Sequence, residues 1–173
     1  EQARLAQHLV DRDRALHWTR AVVAHDEHRG VVVRLANERA DLGVVKARTG
    51  EMRFVAMPRG VDTNGQLRDA FTGPLAVLID EQSMSTSEIF AAGLKSTGRA
   101  RIFGTTSPGY ALPAMTLRLP SQDVLYHVIS NLTDPEGVRI EGQGVVPDES
   151  VPLRRAELLA GRDAALEAAV AWA

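Results

Sequence analysis

Residues 73–104, GPLAVLIDEQSMSTSEIFAAGLKSTGRARIFG, constrain the fold more than any other stretch of the chain. Leu75–Ile79 is an apolar, branched run with Gly73-Pro74 before it and Asp80-Glu81 after it, the pattern of a buried strand. The polar Ser83-Met84-Ser85-Thr86-Ser87-Glu88 follows, and then Ile89, Phe90, Ala92, Gly93 and Leu94 at helical spacing. Gly98 stops that helix, with Lys95 in its last turn. Arg101, Ile102, Phe103 and Gly104 read as the next strand. Strand, serine-rich turn, helix and strand make a βαβ crossover, which implies an α/β fold with a parallel pair of strands.

A serine where a strand ends and a helix begins has two readings. Unpaired N–H groups at a helix start can hold an oxyanion beside a nucleophile. Equally, Ser85-x-x-Glu88 is a capping box, a helix start signal that requires no chemistry. Taken alone, the residues favour the cap over the nucleophile.

A chain of 173 residues is long enough for one domain with a sizeable core. Its net charge of −2 gives no electrostatic footprint for nucleic acid or anionic lipid. No apolar run approaches the roughly 20 residues of a membrane helix, so membrane insertion is not expected. Without cysteine there can be no disulfide, thiolate nucleophile or cysteine zinc site. The chain opens on Glu1 without methionine, and a processed product or the tail of something longer is expected.

In residues 1–24, Leu5, Leu9, Val10, Leu16 and Trp18 suggest one or two helices. His8, His17, His25 and His28 fall close together but lack any tight ligand spacing, so no metal site is expected. Residues 30–35 read as a strand and 36–41 as a loop. Residues 42–48 and 52–57 read as a hairpin turning at Gly50, and 58–72 as a connector. A Pro- and Gly-punctuated loop covers 105–113, and residues 115–119 and 124–130 read as paired strands. Residues 155–172 read as one or two helices around Gly161.

Two stretches carry a family resemblance. The segment from Gly73 through the Ser83-Met84-Ser85-Thr86-Ser87-Glu88 element to Gly98-Arg99-Ala100 and Gly104 resembles the S41 serine peptidases, the tail-specific (C-terminal processing) proteases and the tricorn core. The later Ile140-Glu141-Gly142-Gln143-Gly144-Val145-Val146-Pro147-Asp148 is similar to that family's I-E-G-x-G-V-x-P-D signature. The likeness covers roughly residues 42–173, whereas 1–41 match poorly. It implies a single core domain over 1–173 with a ClpP/crotonase-like fold of ββα units. It further implies that Ser85 is the nucleophile, that the Thr86 N–H donates to the oxyanion, and that Ser83 and Ser87 are turn and cap residues. Glu88 would be a capping or structural carboxylate.

The departures bear on the base. The lysine of the family's Ser–Lys branch falls at Tyr110 in this chain, and a phenol is a poor general base at neutral pH. Lys95 cannot replace it, standing roughly three helical turns beyond Ser85. In the tricorn-like branch a glutamate assists a histidine base. Glu141 resembles that glutamate, but no histidine matches the base, and His127 reads as a structural histidine in a strand. The family's L-R-x-N-x-G-G element is met only by residues 33–39, without its glycines, and no PDZ-like domain is recognisable.

The resemblance implies a serine peptidase that forms an acyl-enzyme on Ser85. Its partner would be a polypeptide substrate bound by strand addition at a sheet edge, with no metal or organic cofactor and with homo-oligomerisation left open. An extracytoplasmic or periplasmic location is implied, with the cytoplasm still open. Loss of the lysine, the glycines and the histidine supports a second reading, a catalytically impaired peptide-binding or scaffold module. Acyl-thioester chemistry on the related crotonase fold ranks third, because oxyanion-holding glycines for it are not evident.

Overall fold

The computed structural model describes residues 20–23, 39–56, 59–61, 66–69 and 71–173. The strand expected at 30–35, the histidines at 8, 17, 25 and 28, and the weak match over 33–38 lie outside these residues.

Strands β1 (Arg20–Val23), β6 (Leu75–Ile79), β7 (Arg101–Gly104) and β11 (Glu149–Ser150) form the central sheet in the order β1-β6-β7-β11. The pairs β6–β7 and β7–β11 are parallel, whereas β1 runs antiparallel to β6 with Arg20 opposite Leu78. Helix α1 (Thr86–Ser96) supplies the expected crossover between β6 and β7. It closes on Thr97, whose N–H donates to the Gly93 carbonyl, and on Gly98, whose N–H donates to the Lys95 carbonyl. Gly98 has φ 67°, a conformation glycine adopts without strain.

β6 is buried along its whole length, and its alternation sorts its side chains onto two faces. Leu75, Val77 and Ile79 pack with Ile102 and with Ile89, Ala91 and Leu94 of α1. Ala76 and Leu78 turn the other way and pack with Phe103 and with Ala165 and Ala169 of α3 (Ala164–Trp172). A near-continuous apolar run is what a strand covered on both faces requires. Burying each large aliphatic side chain is worth roughly 1.5–3 kcal/mol. An exposed ion pair such as Arg101–Glu149 contributes about 0–1 kcal/mol. The two apolar faces therefore hold the sheet.

A second, antiparallel sheet of β2 (Ala40–Ala47), β3 (Gly50–Ala56) and β10 (Ser130–Thr133), in the order β10-β2-β3, lies on the far side of α1. Val45 and Leu132 join the α1 core from this sheet, with Leu42 and Phe54 packed against it. The β2–β3 register shifts between Asp41 and Gly43, and the bulge falls at Leu42, whose backbone approaches Gly93 of α1. Two small hairpins complete the strands: β4 (Arg59–Val61) with β5 (Leu67–Asp69), and β8 (Ala114–Arg118) with β9 (Val124–Val128). A short α2 (Arg155–Leu159) precedes α3. Among the described residues no helix is long and apolar enough to cross a membrane.

Several expectations are corrected. Residues 20–23, expected to be helical, form β1, because the edge of β6 takes up Ala21, Val22 and Val23 as a strand. The loop expected over 36–41 gives way to β2 at Ala40. Residues 124–130 are two elements, since β9 ends at Val128 and Ser130 begins β10, which leaves β8 and pairs with β2. The connector 58–72 contains the β4–β5 pair. Ser87, expected at a turn or cap, lies inside the first turn of α1.

Candidate active site

The turn between β6 and α1 is built from its own polar side chains. Asp80 Oδ1 accepts from the Gln82 N–H at 2.9 Å and the Ser83 hydroxyl at 3.1 Å, and Ser83 Oγ accepts from the Asp80 N–H at 3.0 Å. Ser83 is buried and structural, as its turn role required. The chain then reaches Ser85, the exposed N-cap of α1, with φ 61° and ψ −122°. A side chain bearing a β-carbon avoids this region at a cost of about 1–3 kcal/mol, so surrounding contacts must hold it there. They do so through the Ser85 N–H, which donates to the Tyr110 carbonyl and to Glu88 Oε2, both at 3.0 Å.

The capping box is thus unequal in its two halves. Its carboxylate half closes on the Ser85 N–H, whereas the Glu88 N–H donates to the Ser85 carbonyl at 2.9 Å and the Ser85 hydroxyl makes no cap hydrogen bond. The hydroxyl is left at the surface over the positive end of α1. Among the described residues the Thr86 N–H has no protein acceptor.

Glu88 is fully buried yet takes three donors. Besides Ser85, its Oε1 accepts from the Ser107 hydroxyl at 2.6 Å and the Gly109 N–H at 2.7 Å. Ser107 Oγ in turn accepts from the Val145 N–H at 2.7 Å, and the Gly142 N–H donates to the Gly109 carbonyl at 2.9 Å. The later stretch that carried the resemblance therefore reaches Glu88 of the earlier one through Ser107 and Gly109. Gly144 permits the approach: it has φ 70°, and a β-carbon there would overlap the Ser107 carbonyl oxygen.

The structure brings Ser85, Thr86 and Tyr110 together: the residue at the family's lysine position lies with its carbonyl on the Ser85 N–H, and its side chain is exposed. Glu141 stands on the same loop system, where Oε2 accepts from the Ala111 N–H at 2.8 Å and the Leu112 N–H at 3.1 Å. Lys95 is committed elsewhere, to Asp148 Oδ1 at 2.9 Å and the Val146 carbonyl at 2.7 Å. His127 is the one histidine among the described residues, and its Nδ1 lies 3.3 Å from the Val128 carbonyl on the β8–β9 hairpin. Sequence reasoning missed the junctions at Ser107 and Asp148 and the scale of the Glu88 role. One signal was available: Glu88 lies three and four residues before Ala91 and Ala92, on the buried side of α1.

Comparison with known proteins identifies a family. Residues 19–151 match peptidase family S41. A probable CtpA-like serine protease of Staphylococcus aureus is 27% identical over 103 residues, which is 56% of this chain and 21% of that protein. The chloroplastic carboxyl-terminal-processing peptidase 2 of Arabidopsis thaliana is 31% identical over 107 residues, 60% of this chain and 21% of that protein. The solved photosystem II D1 C-terminal processing protease superposes with a TM-score of 0.56 at 27% identity, over 69% of this chain and 29% of that one. The aligned part of this chain spans about a fifth of the length of those two curated relatives. The chain belongs to peptidase family S41.

Proposed function

We propose that this chain carries the nucleophile-bearing core of a serine peptidase that cleaves polypeptides. Ser85 Oγ attacks the scissile carbonyl carbon as its proton passes to a base. The charge developing on the carbonyl oxygen is met by the Thr86 N–H, and the amine leaves to give acyl-Ser85. Water then attacks the acyl carbon and restores the Ser85 hydroxyl. The observation that carries the reading is Ser85 held at φ 61° at the head of α1, with its hydroxyl at the surface and the next amide without an acceptor among the described residues. Strained turns of this kind present nucleophilic serines on other α/β hydrolases. Glu141 contributes by fixing the two amides after Tyr110. The finer fold assignment, a ClpP/crotonase-like arrangement of ββα units, the use of a polypeptide substrate and an extracytoplasmic location belong to the same proposal.

A second reading, a peptide-binding module that has lost catalysis, has its own support. Tyr110 stands where the Ser–Lys branch has its base, Lys95 is paired with Asp148, and the His127 ring is turned to a backbone carbonyl. Intact-mass analysis after treatment with a fluorophosphonate separates the two. The peptidase reading expects a single adduct on the native chain and none on Ser85→Ala. A folded native chain that takes up no adduct would move the assignment to the binding module.

A further inference from the structure

We infer that Glu88 is a positioning residue for Ser85, one whose carboxylate ties the nucleophile's backbone geometry to the 107–109 loop rather than merely capping α1. The inference rests on the peptidase reading. An ordinary capping-box glutamate sits at the surface and spends its carboxylate on the N-cap amide. Glu88 is fully buried, and it divides its two oxygens between different parts of the chain. Oε2 takes the Ser85 N–H, while Oε1 takes the Ser107 hydroxyl and the Gly109 N–H, residues 19 and 21 positions further along.

The proton count makes the arrangement specific to a carboxylate. Ser107 Oγ accepts from the Val145 N–H, so the one hydroxyl proton is free to donate to Glu88. All three contacts to Glu88 are donors, and a carboxylate offers acceptor sites on both oxygens. An amide at this position offers one acceptor oxygen and turns an NH2 group toward either the Ser85 N–H or the Ser107–Gly109 pair. One end of the bridge is then broken. Because Gly109 immediately precedes Tyr110, whose carbonyl shares the Ser85 N–H, movement of that loop shifts both acceptors that hold Ser85 in its strained conformation. The position of the Thr86 amide follows from the same turn.

The test compares fluorophosphonate labelling of the native chain, Glu88→Gln and Ser107→Ala, with the concentration dependence resolved into probe affinity and maximal rate, and with a thermal melt of each. Ser107→Ala leaves the Glu88–Ser85 contact in place and removes only the loop hydroxyl, so it decides the matter if Glu88→Gln fails to fold. The expected result is a maximal labelling rate about 10- to 100-fold below native in each folded variant, with probe affinity little changed. A capping role alone lowers the melting temperature and leaves the labelling constants of the folded protein at native values, and that result would overturn the inference. A native chain that does not label overturns the peptidase reading and this inference together. Native labelling with unaltered variants overturns the inference alone.

Discussion

Ser85 and Gly144 illustrate opposite uses of positive φ. At Ser85 the conformation is imposed on a residue that resists it, and two acceptors on one N–H hold it in place. At Gly144 the conformation comes without strain, and the missing side chain makes room for the Ser107 carbonyl. Gly144→Ala should therefore destabilise the fold by roughly 2–5 kcal/mol, combining backbone strain with an overlap that backbone atoms cannot easily relieve. Urea unfolding measures it, and a midpoint at the native value would contradict the close approach. The motif residues Ser85, Thr86 and Tyr110 were legible as one site because the resemblance fixes their order along the chain. The bridge through Glu88 was not, because hydrogen bonds between residues 88, 107 and 145 leave no periodic trace in the sequence.

At the scale of elements, α1 ties the two resembling stretches together. Its first turn carries the serine, and its last turn carries Lys95, whose ammonium holds Asp148 and the Val146 carbonyl. Asp148 in turn pairs with β7, giving and receiving hydrogen bonds of 2.8 Å with the Ile102 backbone. The flank of α1 is set by Gly93, where a β-carbon would come within 2.5 Å of Leu42 backbone. Two effects oppose each other in Gly93→Ala. Helix propensity favours alanine by about 0.8–1 kcal/mol, while overpacking against a backbone costs about 1–3 kcal/mol. The variant is expected to melt below the native chain, and a raised melting temperature would mean that β2 can move aside. Sequence periodicity found β6, α1 and β7, which bury apolar faces, and the glycine beside the turn marked the β2–β3 hairpin. It failed at Ser130, where the apolar alternation runs on past Val128 although the hydrogen-bonding partner changes from β8 to β2. It failed again at β1, whose strand character comes from the edge of β6 rather than from its own pattern.

Over the whole molecule, the central sheet is covered by α1 on one face and α3 on the other, and Phe103 anchors the second face. Its ring lies 5.7 Å from that of Trp172, and the Arg101 guanidinium sits 5.5 Å from the Phe103 ring. Phe103→Ala is expected to cost about 3–5 kcal/mol, far more than loss of the exposed Arg101–Glu149 pair beside it. Denaturant titrations of Phe103→Ala and Glu149→Gln check that ranking, and equal losses would contradict it.

The meeting of residues 107–110 and 142–145 around Glu88 also has a consequence in time. A ribosome delivers Ser85 long before it delivers Val145, and until that later segment emerges Ser107 lacks one of its partners. The turn that presents the hydroxyl can be completed only when widely separated parts of the chain close on one another, a slow, late event in folding. The nascent polypeptide therefore passes through the tunnel and past its neighbours before the turn at Ser85 has its full set of hydrogen bonds.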